Sequence, residues 1–235
     1  MKITKAIVLC AGFGKRLQPL TLSNPKPLLK IGNTTLLSNT LKVLEKFGIE
    51  QVVINVHYLG HQIINYVKNK NFNMKITIVN ESDRILDTGG GVLNVIEYFS
   101  DKPFAIINPD TIWSLNYLNE LRSMEKDFFA NEKKCSLLIV NKNKSFDKSF
   151  KGDFNLKNQL ISRNDPDNLR YIYTGFQLIN PDVFGDINLK IFSINKIWDK
   201  LIKNKVLIGK VSNIDFLHVS TLAIYKSLLK KYFRH

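Results

Sequence analysis

Short apolar runs alternate with stretches of helical periodicity along the first half of the chain. Lys5 to Cys10 is a largely apolar run that soon meets glycine, which is typical of a strand buried on both faces of a sheet. Residues 37–47 carry leucine and phenylalanine at helical spacing, and Gly48 follows as a C-cap. The alternation continues with a predicted strand at 51–56, a helix at 59–68 and a strand at 75–79. This order predicts a doubly wound α/β sheet, whose ligands bind beyond the carboxyl ends of the strands.

The pattern changes after the middle of the chain. A glycine triplet at 89–91 opens a helical stretch that reaches Phe99, and residues 104–108 form the next predicted strand. Further strands follow without long helices between them, at 136–140, 152–156, 159–162 and 171–179. Two late helices and two more strands are predicted at 193–203, 221–232, 206–211 and 215–219. We therefore expect a single domain over residues 1–235, with a mixed sheet whose second half is an antiparallel extension.

The composition is that of an ordinary globular protein. Hydrophobic residues make up 44% of the chain and charged residues 23%, and no apolar run approaches the roughly 20 residues that cross a bilayer. The first apolar run is short and turns into glycine and charge, which predicts a strand rather than a signal peptide, so we expect a cytoplasmic protein with no membrane partner. Cys10 and Cys135 lie in apolar stretches outside metal-binding spacings, which predicts buried thiols in a reducing compartment.

A strong positive charge raises the question of a nucleic-acid partner. The chain has 34 Lys and Arg against 20 Asp and Glu, a formal net charge of +14. The lysines, however, are dispersed among Asn and Ile, and aromatic residues do not interleave with them along one face, as they do in proteins that bind single strands. We therefore expect no nucleic-acid partner and interpret the charge as a field that attracts small anionic substrates.

The loop after the first predicted strand has the chemistry of a polyphosphate site. Gly12 and Gly14 allow backbone N–H groups to approach phosphate oxygens, which a Cβ would obstruct. Arg16 adds a planar cation, and Lys26, held between two prolines, adds a point charge. The loop has neither the Gly-Lys-Ser/Thr of a Walker motif nor the Gly-x-Gly-x-x-Gly of dinucleotide folds. A Gly-x-Gly turn alone is often only structural, but its combination with Pro-Lys-Pro favours a triphosphate site.

These motifs resemble those of the sugar-1-phosphate nucleotidyltransferases. Their signature, Leu-Ala-Ala-Gly-x-Gly-x-Arg-Leu-x-Pro-Leu-Thr followed by Pro-Lys-Pro, differs here only at Cys10. Later segments match further family motifs in the same order, at Leu86 to Gly91, Phe104 to Asp110, Gly152 to Phe154 and Tyr173 to Phe176. Within the family the chain most resembles the N-acetylmuramate-1-phosphate uridylyltransferases of peptidoglycan recycling, a cell-wall role, and relatives labelled mannose-1-phosphate guanylyltransferase. The resemblance covers essentially the whole chain and implies a Rossmann-like nucleotidyltransferase fold.

The resemblance implies an enzyme that joins a nucleoside triphosphate to a sugar 1-phosphate and releases pyrophosphate. The attacking phosphate is already an anion, so the protein needs cations and a metal rather than a general base. Arg16 would grip the triphosphate, and Lys26 would neutralise the reacting phosphates. Asp110, at the carboxyl end of a predicted strand, would hold Mg²⁺.

Other residues match positions of the family's two substrate sites. The implied nucleotide-binding residues are Leu9, Ala11, Gly12, Gly14, Arg16, Lys26, Gly89 and Gly90. The implied sugar-phosphate residues are Asn108, Asp153 and Gly175. A glycine triplet can instead serve only to pack a helix near a strand, and Asp153 can be a solvated hairpin carboxylate. Glu81 and Asp83 fall near the expected nucleobase edge.

One position departs from the family pattern. Where the family ends with Trp-Val-Asp-Val-Gly-Thr, whose aspartate is a second Mg²⁺ ligand, this chain has Phe216 to Thr221 and therefore His218. Imidazole is a poor ligand for Mg²⁺ but suits Mn²⁺ or Zn²⁺ better. Four alternatives remain: Asp110 holds the metal with phosphates and water, His218 binds Mn²⁺, activity is impaired in a protein that only binds its ligands, or His218 is a plain structural histidine.

Overall fold

A nine-stranded mixed sheet runs through the described part of the computed structural model, residues 1–81, 84–130 and 133–233. The strands are β1 (Lys5–Cys10), β2 (Lys30–Ile31), β3 (Thr34–Thr35), β4 (Gln51–Val56), β5 (Lys75–Asn80), β6 (Phe104–Ile107), β7 (Cys135–Asn141), β8 (Asn155–Lys157), β9 (Leu160–Ser162), β10 (Tyr171–Ile179) and β11 (Leu207–Ser212). The helices are α1 (Leu20–Ser23), α2 (Leu36–Phe47), α3 (Gly60–Lys68), α4 (Asp87–Leu93), α5 (Leu118–Ala130), α6 (Asn195–Lys203) and α7 (Leu222–Tyr232). The large sheet has the order β5-β4-β1-β6-β10-β7-β11-β9-β8, and β2 and β3 form a separate hairpin.

The parallel half of the sheet follows the predicted pattern. Strand β1 lies inside the sheet and pairs in parallel with β4 and β6. Its side chains alternate between two apolar cores, Val8 facing one and Ile7 the other. Helix α2 begins where Thr35 accepts a hydrogen bond from the Ser38 N–H, and it ends at Gly48, whose φ of 113° suits a glycine cap. The predicted α/β alternation is therefore confirmed.

The chain beyond β5 differs from the prediction in four ways. Strand β10 is antiparallel to both β6 and β7, but β11 runs parallel to β7, so the extension is mixed. Residues 215–219 do not form a strand, because Phe216 and His218 make only single bridges, to Ser145 and Thr111. A long helix, α5, lies between β6 and β7 where none was predicted. The helical stretch after the glycine triplet is split into α4 and a 3₁₀ turn at Ile96–Phe99.

Helices cover both faces of the sheet. Helices α2, α3 and α5 bury their apolar sides in one core, whereas α6 packs into the other. Cys10 and Cys135 are buried, free thiols, as predicted, and burial raises the pKa of both above the ordinary value. Among the helices of the described residues, none has the length and apolar character needed to cross a membrane.

Candidate active site

The loops that follow β1 and β6 meet over the carboxyl ends of the parallel strands. They enclose a cavity of about 420 Å³, at the position expected for a doubly wound sheet. The predicted site residues that line this cavity are Leu9, Ala11, Gly12, Gly14, Arg16, Lys26, Asn108 and Asp110. The structure therefore brings together the candidate phosphate, metal and sugar-phosphate residues of two separate segments.

The phosphate loop, residues 10–16, uses its two glycines differently. Gly14 has a φ of +65°, and a Cβ there would lie 3.0 Å from Thr21 Cγ2, so the turn itself requires glycine. A Cβ at Gly12 would have no protein atom within 4 Å. Because Gly12 lines the cavity, its missing side chain leaves space for a ligand. Arg16 is exposed at the same cavity, and no described residue forms a hydrogen bond or ion pair with it.

Asp110 lies between two side chains that can carry positive charge. Lys26 Nζ is 2.7 Å from Asp110 Oδ2, and His218 Nε2 is 3.1 Å from the same oxygen. Burial by itself raises the pKa of Asp110, but the charges of Lys26 and His218 and their hydrogen bonds hold that pKa well below its usual range. The carboxylate is therefore ionised at any ordinary pH.

The second oxygen of this carboxylate has a free coordination position. Asp110 Oδ1 is buried and has no hydrogen-bond partner among the described residues. A carboxylate oxygen is the kind of ligand that Mg²⁺ and Mn²⁺ accept, so Asp110 fits a divalent cation. Within the described ranges, no group of three or more His, Cys, Asp or Glu side chains surrounds a common point. Phosphate oxygens and water would have to complete the coordination shell.

His218 reaches Asp110 because its segment runs beside the loop after β6. The Val219 N–H donates to the Asp110 carbonyl at 2.8 Å, and the Ile112 N–H donates to the Leu217 carbonyl at 2.8 Å. The His218 ring packs against Phe216 at a centroid distance of 5.6 Å. Its Nδ1 is buried and has no partner in the described part of the chain. His218 thus meets Asp110 through Nε2, and its predicted role as a metal ligand stays a prediction.

Of the three predicted sugar-phosphate residues, Asn108 lines the cavity, whereas Gly175 and Asp153 do not. The Asn108 N–H donates to the Gly175 carbonyl at 2.8 Å, and a Cβ at Gly175 would lie 3.1 Å from Asn108 Cβ. Asp153 is outside the cavity lining, where its Oδ2 accepts from the Tyr173 N–H at 2.8 Å. Burial raises the pKa of Asp153 despite this hydrogen bond. Asp153 is therefore a partly buried carboxylate rather than a solvated one.

Gly89 and Gly90 have a structural partner that the sequence did not suggest. Their N–H groups donate to the Phe192 carbonyl at 2.9 and 3.0 Å, and a side chain at Gly90 would overlap with the Lys190 carbonyl. The segment before α6 thus explains both glycines by packing. Neither lines the cavity, and their predicted contact with the nucleotide stays a prediction.

Several cavity residues were not predicted. They include Asn55, Ile85, Thr88 and Ser220. Asn55 carries a recognisable signal, because it is a polar residue between Ile54 and Val56, near the carboxyl end of β4. Glu81 is buried and uses both carboxylate oxygens on protein groups, so it does not face the cavity. Asp83 lies outside the described residues.

Comparisons with known proteins agree with this geometry. The family described as nucleotidyl transferase matches residues 5–150. The N-acetylmuramate alpha-1-phosphate uridylyltransferase of Caulobacter vibrioides is 25% identical over 219 residues, which cover 91% of this chain and 90% of that protein. The mannose-1-phosphate guanylyltransferase 1 of Arabidopsis thaliana is 34% identical over 113 residues, 46% of this chain and 31% of that protein.

A solved structure gives the same fold. HddC from Yersinia pseudotuberculosis, complexed with GMP-PN, superposes with a TM-score of 0.76 at 20% identity over 98% of this chain and all of that one (100%). The likeness confirms the predicted nucleotidyltransferase fold. Because the family match covers more than half of the 235 residues, the chain is an enzyme that belongs to the nucleotidyl transferase family, as its resemblance to sugar-1-phosphate nucleotidyltransferases predicted.

Proposed function

We propose that the protein transfers a nucleoside monophosphate from a nucleoside triphosphate to a sugar 1-phosphate and releases pyrophosphate. The main support for this proposal is the composition of the cavity. It places the open backbone at Gly12, the exposed side chain of Arg16 and the Lys26–Asp110 pair around one space. This arrangement can bind two anions side by side, and because the attacking group is itself a phosphate anion, the reaction needs no nucleophilic side chain.

Each side chain has a role in this reaction. Arg16 binds the triphosphate, and Lys26 lies where it can neutralise the reacting phosphates. Asp110 Oδ1 would hold Mg²⁺, or Mn²⁺, together with phosphate oxygens. When bound, the cation would supply neutralisation of the charge that develops on the phosphates. His218 orients Asp110 by contacting its other oxygen.

N-acetylmuramate 1-phosphate with UTP is the substrate pair we propose first, within a cytoplasmic role in cell-wall metabolism. Its support is the uridylyltransferase relative that aligns over 90% of its own length, whereas the guanylyltransferase relative aligns over 31%. Mannose 1-phosphate with GTP is the alternative, favoured by the higher identity of 34% over that shorter stretch.

A matrix of substrates tests the proposal. UTP, GTP, CTP, ATP and dTTP are each combined with N-acetylmuramate 1-phosphate, mannose 1-phosphate and glucose 1-phosphate, and pyrophosphate release is measured with Mg²⁺ and with Mn²⁺. One strongly preferred pair supports the proposal. Nucleotide binding without pyrophosphate release in any combination would instead favour a protein that binds its ligands but has lost turnover, the alternative suggested by His218 at the position of the family's aspartate.

A further inference from the structure

Asn55 joins the end of β4 to the start of the phosphate loop. The residue is 2% exposed, and its Oδ1 accepts a hydrogen bond from the Cys10 N–H at 3.0 Å. Because a backbone N–H can only donate, the amide oxygen must face Cys10, and the amide nitrogen must face the other way. That nitrogen donates to Glu81 Oε1 at 2.7 Å.

Glu81 carries the connection on to the start of α4. The residue is buried, 4% exposed, and its second carboxylate oxygen, Oε2, accepts from the Leu86 N–H at 3.0 Å. Its backbone is fixed as well, because the His57 Nδ1–H donates to its carbonyl at 2.5 Å and its own N–H donates to the Val56 carbonyl at 2.8 Å. A buried carboxylate is costly unless its oxygens are paired, and here both oxygens are paired with protein donors.

The third glycine of the triplet makes room for this connection. A Cβ at Gly91 would lie 2.7 Å from Asn55 Nδ2 and 2.9 Å from Glu81 Oε1. Gly91 therefore lacks a side chain because the Asn55–Glu81 hydrogen bond passes directly beside it. Neither the fold of α4 nor a ligand is needed to explain this glycine.

We propose that Glu81 is a positioning residue that fixes the phosphate loop and the segment leading into α4 (residues 85–88) relative to each other for the nucleoside triphosphate. This proposal rests on the proposed function. The phosphate loop and residues 85, 87 and 88 line the same cavity, yet they belong to different segments of the chain. The path Cys10–Asn55–Glu81–Leu86 links the two by hydrogen bonds between buried groups, so the triphosphate meets a preformed site.

The direction of the hydrogen bonds allows a test by exchange. In Glu81→Gln, one oxygen becomes an NH₂ group that faces either the Asn55 amide or the Leu86 N–H, so one hydrogen bond is lost. In Asn55→Asp, a second carboxylate oxygen faces Glu81 Oε1. In the double variant, the new carboxylate at position 55 accepts from Cys10 and from the new amide at position 81, and that amide's oxygen accepts from Leu86. All three hydrogen bonds are then restored with the central one reversed.

We expect each single variant to raise the KM for the nucleoside triphosphate about tenfold or more, because a buried donor or acceptor loses its partner. The KM for the sugar 1-phosphate should change by less than about twofold, and the double variant should return the triphosphate KM to within about threefold of wild type. Glu45→Gln is the matched control, since Glu45 Oε1 also accepts a backbone hydrogen bond, from the Asn73 N–H at 3.0 Å, but at the surface.

The outcomes separate this inference from the proposed function. Single variants that leave the triphosphate KM unchanged, or that raise both KM values equally, would overturn the positioning role, as would a double variant that is not rescued. If the single variants fail to fold, the double variant decides, because it keeps every hydrogen bond. If the wild type turns over no substrate pair, the proposed function fails, and calorimetric binding of UTP and GTP to the same variants still tests Glu81.

Discussion

Arg16 and Lys26 carry the same charge but are held in different ways. The Arg16 guanidinium makes no hydrogen bond or ion pair with any described residue, whereas Lys26 is bonded to Asp110. A free guanidinium binds a phosphate without giving up a protein contact. Lys26 must instead share its ammonium group between the carboxylate and the ligand, so its removal also lowers the stability of the folded protein.

We expect Arg16→Ala to lower kcat/KM about 100-fold or more with no change in Tm, since one preorganised cation contributes about 3 kcal/mol to the transition state. Lys26→Ala should lower kcat/KM as strongly and also lower Tm, because Asp110 loses a partner in a partly buried site. Steady-state kinetics and thermal unfolding measure both effects. Arg122→Ala, on the surface of α5, is the control, and near-wild-type kcat/KM in both site variants would refute the phosphate assignment.

His218→Asp places a second carboxylate beside Asp110. In the structure, Lys26 and His218 both contact Asp110 Oδ2, so Lys26 would be the cation next to the two carboxylates. Two like charges at this distance repel, so we expect the Tm of the variant in EDTA to fall below that of wild type. Mg²⁺ should raise the Tm of the variant more than that of wild type, and any preference for Mn²⁺ should decrease.

His218→Asn is the control for this experiment, because it removes the ring without adding charge. Thermal unfolding in EDTA, Mg²⁺ and Mn²⁺ provides a measurement that does not depend on turnover. Equal responses of wild type and His218→Asp to both metals would remove His218 from the metal site and leave it as a contact of Asp110.

Asp153 predicts a pH dependence of stability. Burial raises its pKa in the folded protein, so its favourable contribution is complete below the unfolded pKa of about 3.9 and is lost as pH rises through the folded pKa. Asp153→Asn keeps an acceptor for the Tyr173 N–H but removes the charge. We therefore expect the variant to have the higher Tm at about pH 7 and nearly the same Tm at about pH 3. Asp167→Asn, at an exposed position, should show no such pattern, and a pH-independent difference for Asp153→Asn would contradict the burial argument.

Gly12 in the phosphate loop and Gly90 inside α4 should respond in opposite ways to alanine. A methyl group at Gly12 has no protein atom within 4 Å, whereas one at Gly90 overlaps with the Lys190 carbonyl. Gly12→Ala should keep its Tm and raise the triphosphate KM about tenfold or more, because the methyl group occupies ligand space. Gly90→Ala should lower Tm by about 5 °C or more through steric overlap. A fall in Tm for Gly12→Ala, with an unchanged KM, would show that its space does not belong to the ligand.

Local patterns explain which elements could be predicted. Helix α2 could be predicted because it buries one apolar stripe at helical spacing and ends at Gly48. Strand β4 could be predicted because it is a short run that is buried on both faces. Helix α5 carries Leu121, Met124 and Phe128 at helical spacing, but the charged residues between them obscure this apolar stripe in the sequence. Residues 215–219 alternate like a strand but meet partners at single positions only, and that arrangement depends on the loops that fold beside them.

At the scale of the whole molecule, the site divides into contiguous and assembled parts. Gly12, Arg16 and Lys26 lie in one motif and could be found from sequence. Asn55 and Ser220 join the cavity only because the sheet order and the loop after β11 bring them there. The Glu81 connection is of the same kind, since its partners lie 26 and 5 residues away along the chain.

The net charge of +14 acts on the whole surface and should set how fast anionic substrates arrive. Because salt screens such a field over about 8 Å at physiological ionic strength, we expect kcat/KM for the preferred triphosphate to fall about tenfold between 50 and 500 mM salt, with kcat nearly constant. Steady-state kinetics in NaCl and in choline chloride distinguish screening from a specific effect of sodium. A band-shift assay with DNA and RNA at physiological salt runs in parallel and should show no complex. A kcat/KM that does not depend on salt, together with a stable band shift, would indicate that the positive charge serves to bind nucleic acid rather than to attract the substrates.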